Sequence, residues 1–120
     1  MRTYDKWDKK TPETDKLIAK VEAAVHAIVP DADIILYGSR ARGDANLLSD
    51  WDFLVLTNHP LTQDIVRAIR DRLYDIELET DMVISSIVRT RKEWASKYYT
   101  VLPFKWAVEK DGVMVSWTTI

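Results

Sequence analysis

The sequence predicts a domain of alternating strands and helices, α/β or α+β, and three observations carry that expectation. Two apolar runs of strand length, Ile34 to Tyr37 and Phe53 to Leu56, are bounded by polar segments. Before and after them, apolar residues recur at helical spacing. The connection from Gly43 to Ser49 is short enough to join an antiparallel pair, so alternation alone leaves both classes open.

Residues 1–10 form a polar lead, expected to be poorly ordered apart from the docking of Tyr4 and Trp7. Thr11, Pro12 and Glu13 start a helix: the hydroxyl caps free N–H groups, proline suits the first helical position, and an acid follows in the first turn. Leu17, Val21, Ala24, Val25 and Ile28 make its apolar stripe, which Pro30 stops. Beyond the second apolar run, Asn58-His59-Pro60 breaks the chain, and Thr62 caps a helix with apolar positions Ile65, Val66, Ile69, Leu73 and Ile76. Asp81 to Val88 reads as a third long strand with Asp81 at its start. Thr90 and Glu93 have capping-box spacing ahead of Trp94. Pro103 opens another short helix, Gly112 ends it, and Val113 to Trp117 alternate like an edge strand.

A length of 120 residues fits one domain, 1–120, burying ~65% of its unfolded surface. The composition, 47% hydrophobic and 30% charged, is that of a chain that can build a core. The absence of cysteine removes disulfides, thiolate metal sites and cysteine nucleophiles. There is no apolar stretch near the ~18 residues of a membrane span, and the amino terminus is too polar for a signal peptide, so cytoplasm is the expected location. With 17 Lys and Arg against 19 Asp and Glu, a stable grip on nucleic acid is disfavoured, although basic residues can still line one local triphosphate pocket. His26 lies off its helix stripe and His59 in a breaker, and neither has a partner at metal-ligand spacing.

The chemistry concentrates between Asp33 and Leu56. A strand that ends in Gly38-Ser39 before a short helical turn leaves N–H groups free to meet an anion. Ten residues separate Ser39 from Asp50, and on an extended chain Asp50 and Asp52 share a face while standing roughly 6.6 Å apart. Carboxylates held together raise one another's pKa unless a cation intervenes, and hard oxygen donors suit magnesium. Arg40 and Arg42 are of the type that meets phosphate, and Arg42 can equally brace the loop. The Gly-Lys-Ser or Gly-Lys-Thr ending of the alternative P-loop motif is absent.

Gly38-Ser39, Ala41-Arg42-Gly43 and Ser49-Asp50-Trp51-Asp52 ahead of an apolar run resemble the signature of the DNA polymerase beta-like nucleotidyltransferase superfamily, in particular its minimal nucleotidyltransferase branch. The resemblance implies a mixed sheet with helices mainly on one face, an α+β fold. It implies nucleotide phosphates at Gly38 and Ser39, where Arg40 and Arg42 are further candidates by residue type, and magnesium, with manganese as a substitute, at the catalytic acids Asp50, Asp52 and Asp81. Glu77 and Glu79 share the side of Asp81 on an extended chain, so Glu79 is the alternative third acid. The implied reaction moves a nucleoside monophosphate, AMP from ATP, to an acceptor hydroxyl and releases pyrophosphate. Members of the branch often sit beside a helical HEPN-type partner and serve as antitoxins, and a second protein or subunit would complete so short a chain. The alternatives are transfer to a small molecule of the aminoglycoside kind, or a nucleotide-binding module without turnover.

Overall fold

The computed structural model describes residues 1–117. The strands are β1 (Arg2–Thr3), β2 (Asp33–Tyr37), β3 (Trp51–Thr57), β4 (Ile84–Thr90) and β5 (Val113–Ser116), and the helices are α1 (Pro12–His26), α2 (Gly38–Arg42), α3 (Gln63–Thr80), α4 (Arg91–Trp94), α5 (Lys97–Thr100) and α6 (Pro103–Asp111). All five strands join one mixed sheet in the order β1-β5-β2-β3-β4. The short Gly43–Ser49 link joins β2 to β3 as an antiparallel pair, and the long α3 makes the crossover that the parallel pair β3 and β4 requires.

Strand parity divides the apolar side chains between two cores. Ile34, Leu36, Trp51, Phe53, Val55 and Val88 face one side and pack with the stripes of α1 and α3, including Leu17, Val21, Val25, Ile69, Leu73 and Ile76. Ile35, Leu54 and Leu56 face the other side, where Trp94 and Val108 cover them with help from Tyr37, Tyr99 and Phe104. The two long helices therefore share one face, as expected of this fold, and short α4 to α6 cover part of the second. The caps read from sequence are formed: Thr11 Oγ1 accepts from Thr14 N–H, Thr62 Oγ1 from Ile65 N–H, and Thr90 and Glu93 close a reciprocal box.

Three local expectations are corrected. The first ten residues are part of the fold: β1 pairs in parallel with β5, and Trp7 is fully buried with its indole N–H donating to Ala41 O at 3.0 Å. The docking of Trp7 is as expected, and the strand pairing of β1 is what the polar lead did not advertise. Consequently β5 is an interior strand, between β1 and β2, and not an edge. The third long strand begins at Ile84, because α3 continues to Thr80 and Asp81 is its C-cap, with φ 56°. Asp81 is thus a helix-terminating residue in the left-handed conformation that Asp tolerates better than most.

Candidate active site

The site begins where β2 gives way to α2. Gly38 has φ +78°, a conformation that L side chains rarely adopt, and it sets the direction in which the first turn of α2 leaves the sheet. It has a second reason to be glycine. A β-carbon built there would stand 3.3 Å from Asp52 Cγ and still closer to Oδ2, inside the 3.0 Å that real β-carbons keep. The Asp52 carboxylate therefore lies directly against the bare backbone of the Gly38-Ser39 turn, with no core between them. Ser39 is half-buried beside it in the first turn of α2, where backbone N–H groups lack helical partners.

The register explains the closeness. Asp52 pairs with Tyr37 across β2 and β3, so the residue after Tyr37 is carried to the edge where the carboxylate emerges. Asp52 shares the sheet face of Leu54 and Ile35, away from α1 and α3, whereas Trp51 points into the main core. Asp50 is exposed just ahead of β3. Partial burial and the charge of Asp50 hold the Asp52 carboxyl above the usual carboxylate range, opposed by the positive charge of Arg42. Burial and the charge of Asp52 push the Tyr37 hydroxyl up to about 12, so it stays protonated at neutral pH. Tyr37 is a residue of the site's wall that sequence parity did not single out, because its relation to Asp52 exists only across the strand pair.

The two arginines separate in role. Arg40 donates from Nε and Nη2 to Ser49 O at 3.2 and 3.0 Å and lays its guanidinium over the Trp51 ring at 4.7 Å from the centroid. It fastens the Gly43–Ser49 loop to the sheet, leaving its fork engaged. Arg42 is exposed, pairs with Asp44 at 3.1 Å and acts electrostatically on Asp52, so it is the arginine available to a phosphate. A cavity of about 430 Å³ behind this loop is lined by Trp7, Lys9, Arg40, Leu47, Trp51 and Met82. It opens on the α1 side, and the carboxylates stand apart from it.

The acids are only partly assembled. Among the described residues, no three His, Asp or Glu side chains are grouped so as to hold a metal ion. Asp81 is exposed at the end of α3. Glu77 accepts from Ile84 N–H at 2.9 Å, and Glu79 pairs with Lys20 at 2.7 Å. What the geometry brings together is Gly38, Ser39 and Asp52, with Asp50 one strand step away and Arg42 within electrostatic reach.

A family model described as nucleotidyltransferase domain matches residues 18–108, three quarters of the chain. The chain belongs to the nucleotidyltransferase domain family. The match takes in β2, the Gly38-Ser39 turn, β3 and β4, and its family chemistry, nucleotidyl transfer, makes the protein an enzyme of that type. A solved structure described as "Crystal structure of the toxin-antitoxin with AMP-PNP" has the same fold, at 19% identity and TM-score 0.61 over 85% of this chain and 74% of that one. No curated protein matches the chain significantly. No helix among the described residues is long and apolar enough to cross a membrane.

Proposed function

We propose that this nucleotidyltransferase moves AMP from ATP, with magnesium, to a hydroxyl of a partner protein, the toxin of a toxin–antitoxin pair. The single observation that carries the reading is the contact of the Asp52 carboxylate with the Gly38-Ser39 turn, because a bend with free N–H groups suits an anion and a carboxylate beside it suits a cation. The donor set fits magnesium: Asp50 and Asp52 offer hard oxygens, and Asp52 is crowded by burial and by Asp50 in a way that a cation would relieve. Those two residues would hold the ion, which would supply positive charge to the attacked phosphate and the departing pyrophosphate.

The rest of the work falls to the chain. Free N–H groups at Gly38 and Ser39 receive phosphate oxygens, Arg42 adds a positive charge, and Arg40 keeps Ser49, and with it Asp50, in register with the sheet. In the transfer the acceptor oxygen bonds to the α-phosphorus, the bond from that phosphorus to the bridging oxygen breaks, pyrophosphate leaves, and the hydroxyl proton departs to solvent or to a base on the acceptor. Asp50 is exposed, and in the loop that leads to it Leu47 and Leu48 are 96% and 89% exposed, as suits a protein acceptor better than a small one. A structural neighbour described as a toxin-antitoxin with a nucleotide analogue supports the same choice, and a helical HEPN-type toxin is the partner that this reading implies.

A second reading, a nucleotide-binding module with little turnover, draws on the missing third acid. Incubation with ATP labelled at the α-phosphate and magnesium, with and without the product of the adjacent gene, tests both. Label on the neighbour is expected; bound nucleotide with no transfer to any acceptor would favour the module.

A further inference from the structure

The β3 and β4 ladder sets a neutral residue beside Asp52. In this parallel pair Asp52 is in register with Ser85. Registered residues of neighbouring strands share a sheet face, and the strands lie about 4.8 Å apart. Two observations fix the face independently. Ser86 lines a hollow with Arg70, Leu73 and Glu77 of α3 on the opposite side, and Ile87 joins the Leu54 core on the Asp52 side. Ser85, alternating with Ser86, is therefore half-buried on the face of Asp52, Tyr37 and Leu54.

Of the nearby acids, the two glutamates are engaged and the aspartate lies outside the strand. Glu77 is bonded to Ile84 N–H, Glu79 to Lys20, and Asp81 ends α3 on the exposed surface. We propose that Ser85, a neutral hydroxyl beside Asp52, leaves the site with two carboxylates, so that the divalent cation is held only as its complex with the triphosphate and not by the protein alone. The physical reason is ligand number. Magnesium needs six oxygens and gives up water reluctantly, and two carboxylates compete poorly with its hydration shell until phosphate oxygens join them. Binding of cation and nucleotide is then one event. Among the described residues no third carboxylate is grouped with Asp50 and Asp52 to take the acceptor's proton.

The inference rests on the metal-dependent transfer proposed above, and the test separates the two. Manganese binding is followed by the electron paramagnetic resonance signal of the free ion, and melting temperature is followed with manganese alone, a non-hydrolysable ATP analogue alone, and both together. Wild-type protein is expected to take up little manganese and to gain melting temperature only with ion and analogue together. Ser85→Asp should bind manganese without nucleotide at least about tenfold more tightly than wild type. Asp81→Asn should leave the joint shift unchanged, and it should fold, since Asn accepts the left-handed C-cap. Tight manganese binding by nucleotide-free wild type, no gain in a folded Ser85→Asp, or loss of the joint shift in Asp81→Asn would each overturn the inference while leaving the proposed function standing. Absence of any joint shift in wild type would remove both.

Discussion

The Asp52 carboxylate rests on the α-carbon of Gly38, where a side chain would displace it. One residue thus meets two demands at once, a left-handed backbone angle and an empty space for an acid. Replacing Gly38 by Ala tests both. The left-handed φ should cost about 1–2 kcal/mol in urea unfolding, and the methyl should push Asp52 aside, so transfer should fall further than stability explains.

Asp52→Asn separates stability from function. Because burial and Asp50 raise the native carboxyl above its unfolded value, the folded state binds more protons through that window, and stability without cation falls as pH rises from the ordinary carboxylate range through the raised one. The Asn variant should lack that loss. Thermal melts from pH 4 to 7 should show it gaining on wild type as pH rises, while label transfer drops to background. A parallel pH profile for the two proteins would contradict the account.

Arg40 and Arg42 should behave differently despite their spacing. Arg40→Ala removes a two-donor clamp on Ser49 and a stack on Trp51, at a cost of about 1–3 kcal/mol; Lys, with a single point charge, should rescue little. Arg42→Ala removes an exposed pair worth about 0–1 kcal/mol, and its effect should appear as weaker nucleotide binding that salt also reproduces.

Leu47 and Leu48, nearly fully exposed in the loop ahead of Asp50, should matter only to the acceptor. Changing both to Ser should leave the melting temperature within about 2 °C and nucleotide affinity intact, yet reduce labelling of the partner protein. Equal labelling would move the docking surface elsewhere.

Helix starts and the two strands around the site were legible because each rests on local chemistry, Thr11, Thr62 and Thr90 being caps, whereas the meeting of Gly38 and Asp52 across the strand pair is implied by the family resemblance. What depended on partners distant in sequence was not legible. The docking of Trp7 is expected, but the pairing of β1 with β5, which also orders the lead, is not. Asp81 reads like a strand opening because Met82, Val83 and Ile84 follow it, and only the extent of α3, fixed by burial of Ile69, Leu73 and Ile76, turns it into a cap. Likewise the different duties of Arg40 and Arg42 follow from what each meets in space.

Equilibrium binding of ATP labelled at the α-phosphate, in magnesium, compared among wild type, Gly38→Ala and Asp52→Asn, reaches the central claim most directly. Saturable binding by wild type that weakens at least about tenfold in both variants is the predicted result. Equal affinity in all three folded proteins would show that nucleotide does not sit between the glycine-serine turn and the acid, and the account would fail there.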